Sequence, residues 1–72
     1  MSGNEKTIKR TLFEKLRKYH NDKDFVGGVM SNVNYDEDRQ IIIDFIDNDE
    51  DVSVENIILL SLHLSNKRTE AS

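Results

Sequence analysis

Four apolar positions near the start of the chain, Ile8, Leu12, Leu16 and Tyr19, are spaced i, i+4, i+8, i+11. On a helix they share one face, with Phe13 at its border. The spacing predicts a helix over residues 5 to 20. Asn4 is placed to cap its N-terminus, and His20 falls in its last turn, where a partial positive charge is favoured.

The next apolar run, "FVGGVMSNV" at residues 25 to 33, sets two periods against each other. Its valines and paired glycines have the look of a strand. At 100° per residue, however, Phe25, Val26, Val29, Met30 and Val33 fall within an arc of about 140°, and Gly27, Gly28, Ser31 and Asn32 take the other side. At period two neither face is cleanly apolar. The run therefore reads as a helix capped by Asp24, in which the glycines cost up to ~2 kcal/mol relative to alanine. Residues 37 to 47 behave alike. Ile41, Ile42, Phe45 and Ile46 form a face, Asp36 takes the cap position, and Glu37 and Asp38 lie in the first turn, where the helix dipole favours acids. The rival reading pairs 25–33 with "QIIIDFI" as a β-hairpin.

Residues 53 to 66 predict a last helix capped by Ser53, with Lys67 and Arg68 near its C-terminal end. Its wheel carries two apolar stripes: Ile58, Leu59 and Leu62, and Ile57, Leu60 and Leu64. Ser61 and Ser65 lie between them. If Ile58 and Leu62 face the core, the second stripe is either covered by the first helix within the monomer or left for a partner, which gives a homodimer through Leu60 and Leu64. The architecture expected is all-α, a compact bundle of four short helices, with helix–β-hairpin–helix (α+β) as the alternative. With 72 residues the chain makes one small domain, with frayed ends expected at about 1–4 and 68–72.

Composition narrows the class. The chain has no cysteine, which excludes disulfides and thiolate metal sites. No apolar run approaches the ~18 residues of a membrane span, and the polar N-terminus does not resemble a signal peptide. A cytoplasmic protein is expected. Ile, Asn, Asp and Lys are frequent, as in AT-rich microbial genes. The net charge of −4 is unevenly spread: residues 5 to 18 are basic, and residues 36 to 55 hold nine acids against Arg39 alone.

The densest acidic stretch is "DNDEDVS". A calcium loop starting at Asp47 would put Asp49 and Asp51 at positions 3 and 5, as required. Position 6 should be glycine and is Val52; position 12 should be glutamate and is Ile58. No metal and no cofactor are expected. Asp47, Asp49, Glu50 and Asp51 are instead an interhelical turn and a candidate protein-contact surface. Lys6, Arg10 and Arg17 line up opposite Ile8 and Leu12, the one arrangement that suits nucleic-acid phosphates, although no aromatic lies among them and Glu14 is four residues from Arg10. His20 and His63 stand in no catalytic motif, and no serine sits in a nucleophile elbow. The expectation is therefore a non-enzymatic accessory or regulatory protein that binds another protein or its own copy. An acidic inhibitor that mimics nucleic acid, and a nucleic-acid binder using the first helix, are the alternatives.

Overall fold

The computed structural model describes residues 7–71, the side chain of Ala71 excepted. It is a bundle of four helices: α1 (Ile8–Tyr19), α2 (Lys23–Asn32), α3 (Asp36–Asn48) and α4 (Val54–Ala71). Among the described residues there is no strand, so the hairpin alternative is not what this chain adopts. The five apolar residues of 25–33 do share a face: Phe25, Val26, Val29 and Val33 are buried and Met30 is half-buried, while Gly27 and Gly28 face outward.

Three caps differ from the sequence expectation. The Thr7 hydroxyl accepts from the Arg10 amide at the start of α1, and Asn4 lies outside the described residues. In α2 the cap is Asp22, two residues before Asp24; its carboxylate accepts from the amides of Asp24 and Phe25. Asp36 is the first residue of α3, and Tyr35, at the cap position, makes no capping bond. Ser53 does cap α4, accepting from the Asn56 amide at 3.0 Å. That helix runs to Ala71.

The helices form a ring. α1 packs on α2 and α3, and α4 packs on α2 and α3; the pairs α1–α4 and α2–α3 do not pack on each other. The core within this ring holds Leu12 and Leu16, then Phe25, Val26, Val29 and Val33, then Ile42 and Ile43, then Ile57 and Leu64. Two faces are turned relative to the sequence reading. On α3, Ile42 and Ile43 are buried and Ile41 is exposed. On α4, Ile57 and Leu64 are core residues, and Leu59 and Leu62 are 55% and 43% exposed. Ser61, on the same face as Ile57 and Leu64, is fully buried with them. Its hydroxyl donates to the Ile58 carbonyl at 2.7 Å and accepts from the Asn32 side chain at 3.1 Å. A satisfied serine sits in the core at little cost, so the face that carries it with Ile57 and Leu64 can be the buried one.

Candidate functional site

Two regions stand out from an otherwise ordinary surface. The first is a groove of about 500 Å³ between α1 and α2. Phe13 and Val26 form its walls with Met30, and Gly27 lies at its floor. Phe13, at the border of the α1 apolar face, is 40% exposed there. No side chain covers Gly27: a Cβ placed on it would meet no heavy atom within 4 Å. Lys9, Arg17 and Lys23 stand on the rim, together with Asp22. Asp22 is committed to capping α2, and it also lies 3.7 Å from His20 Nε2. The Arg17 guanidinium sits 5.7 Å from the Phe13 ring centroid, over its face. None of Lys9, Arg17 and Lys23 makes an ion pair among the described residues. The rim thus carries three cations against one carboxylate on a chain of net charge −4.

The second region is a knot at the α3–α4 contact. Asp38 is 4% exposed and takes two hydrogen bonds from Arg68, at 2.9 and 3.1 Å. Arg68 also donates to Glu37 at 2.7 Å and lies over the Tyr35 ring, 4.2 Å from its centroid. The fork geometry of arginine suits this double grip on a carboxylate. Hydrogen bonding to Asp38 holds the guanidinium more basic than usual; partial desolvation works against this, and the Glu37 bond adds to it. The polar recess beside the knot, with Asn34, Ser65 and Thr69 in its wall, holds charges that are already matched. Its role is to join the helices.

No protein-family model matches this chain. The same holds for the curated proteins and the solved structures: none is significantly similar to it. The site therefore has to be read from its own geometry.

The residues singled out from the sequence are scattered. Ile57 and Leu64 are core residues and are not available to a partner; Leu60 is half-buried against that core. The exposed stripe of α4 is the other one, Leu59 and Leu62. In the acidic stretch, Asp47 is bonded to Lys15 at 3.0 Å. Asp49 caps α3 at its C-terminus, and its carboxylate accepts from the Asp51 amide. The Asp51 carbonyl accepts from the Asn56 side chain. Glu50 is exposed in the turn. This is a well-bonded interhelical turn, and among the described residues no group of three or more His, Cys, Asp or Glu is placed to hold a metal. Other acids of the same half are also engaged internally: Asp36 with Arg39 at 2.7 Å, and Glu37 and Asp38 with Arg68.

On the basic face, Arg10 is paired with Glu14 at 3.2 Å and Arg17 is turned over Phe13. Lys6 lies outside the described residues. Serine hydroxyls serve the fold: Ser31 donates to the Gly27 carbonyl, Ser53 caps, and Ser61 joins α2 to α4. His63 is exposed on the outer side of α4. No helix of the described residues is long and apolar enough to cross a membrane.

The groove escaped sequence reading because its parts lie on different helices. One signal was present. Phe13 stands at the edge of the α1 apolar stripe, and α2 carries two outward glycines, of which Gly27 lines the groove, where a solvent-exposed helix would be better served by alanine.

Proposed function

We propose that this chain is a non-enzymatic interaction module that acts by binding a protein segment in the groove between α1 and α2. One observation carries the reading: a large aromatic, Phe13, stands 40% exposed in an apolar groove, and Gly27 leaves its floor open. Exposed aromatics and methionines that line a concavity are the usual anchors of protein contacts, and a groove between two packed helices is a natural seat for a third. A chain without cysteine suits a reducing compartment such as the cytoplasm. The two alternatives draw less support. Mimicry of nucleic acid needs free carboxylates, and four of the nine acids of residues 36–55, namely Asp36, Glu37, Asp38 and Asp47, are held by the protein's own cations. Phosphate binding along α1 needs a line of free bases; Arg10 is paired with Glu14, and the unpaired Lys9 and Arg17 stand on the rim of the apolar groove.

The test places a photo-cross-linking amino acid at position 27, with a control at the exposed position 48. Protein adducts that form at 27, are absent at 48 and disappear in Phe13→Ala are expected. Adducts at 27 that consist of nucleic acid, or that form equally well at 48, overturn the reading.

A further inference from the structure

The face of α4 that points away from the core carries a pattern complementary to the groove. Glu55, Leu59, Leu62, Asn66 and Glu70 are all exposed. At 100° per residue they fall within an arc of about 80°, on the side opposite Ile57, Ser61 and Leu64. The result is a helical stripe with two leucines at its centre and a carboxylate toward each end. The groove presents the converse: apolar walls of Phe13, Val26 and Met30 beneath a rim with Lys9, Arg17 and Lys23. Within one molecule the two cannot meet, because α4 packs on α2 through its other face and does not pack on α1.

We infer that the occupant of the groove is α4 of a second copy of this chain, seated through Leu59 and Leu62, with Glu55 and Glu70 against the basic rim. The inference rests on the groove being a protein-binding site and names its partner. It explains three features the monomer does not need: the bare glycine floor, the exposed Phe13 and the exposed Leu59–Leu62 pair. The contact joins different surfaces on the two copies. It closes into a dimer if it forms twice about a twofold axis and otherwise continues as an open chain. Opposite charges fix the register and disfavour the rival pairing of one α4 stripe with another, which would set Glu55 and Glu70 against like charge.

Sedimentation equilibrium over ~10 µM to ~1 mM is the measurement, a range that resolves dissociation constants from micromolar to millimolar. Two variants alter exposed positions and leave the core untouched. Gly27→Glu fills the groove floor with bulk and negative charge; Leu59→Lys places a cation in the stripe. Each alone should weaken association about tenfold or more while circular dichroism shows the helices intact. Mixed together they should form a one-to-one heterodimer, because the first variant keeps a good stripe and the second a good groove. A monomeric parent at ~1 mM overturns the inference, as does association that survives both substitutions, or a mixture that stays monomeric beside an associating parent. The cross-link at position 27 separates this from the broader reading. Adducts with some other protein, beside a monomeric parent, leave the groove a binding site and remove only the second copy from it.

Discussion

Replacing Gly28 by alanine should stabilise the protein, and the size of the gain can be worked out. Position 28 lies inside α2 and neither described glycine has positive φ, so alanine suits the backbone without strain. A Cβ built there meets no heavy atom within 4 Å, so it neither clashes nor buries apolar surface. What remains is helix propensity, ~0.8–1.0 kcal/mol in favour of alanine, largely because glycine has more freedom to lose from the unfolded chain. For a domain of this size about 1 kcal/mol raises Tm by roughly 4–8 °C. Gly27→Ala should give a similar increment, and the double substitution close to the sum. Thermal melts followed by far-ultraviolet circular dichroism supply the numbers. A Gly28→Val variant sharpens the test, since valine is worse than alanine in a helix and better in a strand. The expected order of stability is alanine, valine, glycine. Valine above alanine would mean that residues 25–33 are extended and that the hairpin is the true fold. An alanine variant that melts below the parent would refute the open space at position 28.

The α4 faces are told apart by truncation: Ile57→Ala, in the core, should cost ~2–5 kcal/mol by urea unfolding, and Leu59→Ala should stay within about 0.5 kcal/mol at concentrations where the chain is monomeric. Arg68→Lys loses the forked grip on Asp38 and the stacking on Tyr35, so its Tm should fall further than that of Arg10→Lys, whose pair with Glu14 spans one helical turn at the surface. An arginine held above its usual basicity contributes fully at every pH below its unfolded-state value, so Arg68 itself should add no titration step to stability between neutral and mildly alkaline pH. Calcium at ~1 mM should produce no saturable amide shifts with micromolar affinity at Asp47 to Ser53; localised, saturating shifts there would mean that the turn is a cation site.

The α1 helix was legible because its stripe is simple: Leu12 and Leu16 are apolar, centrally spaced and buried, as their period requires. The α2 helix was legible by counting, once its glycines were seen to share one side. The orientation of α4 was not. Its aliphatic residues surround most of the wheel, and either stripe satisfies the 3.6-residue period. The buried face carries Ser61, a polar residue that the Ile58 carbonyl of its own helix and Asn32, 29 positions away in sequence, together satisfy. Asp38 was hidden for the same reason. It reads as a first-turn acid, and its burial depends on Arg68, 30 positions away. Residues whose environment is set by a distant polar partner leave no periodic trace. The groove is a further step removed, since it arises from the fit between α1 and α2 and belongs to neither pattern alone.

The ring of contacts also governs the order in which this chain can be completed. The helices lie round the ring as α1, α2, α4, α3, so the short link over residues 33–35 spans a diagonal of it. Each half of the sequence supplies two adjacent corners, and neither half closes a core alone. A ribosome delivers α2 well before α4, its main packing partner, and until then Val29 and Val33 have only part of their lining. Helix formation is local and fast, whereas closing this ring awaits the final segment. Residues 54–71 therefore act as the keystone: while they are unmade, or detached by a cut in the acidic turn, α1 can still pack on α2 and α3, but the ring stays open where α2 and α3 would meet α4.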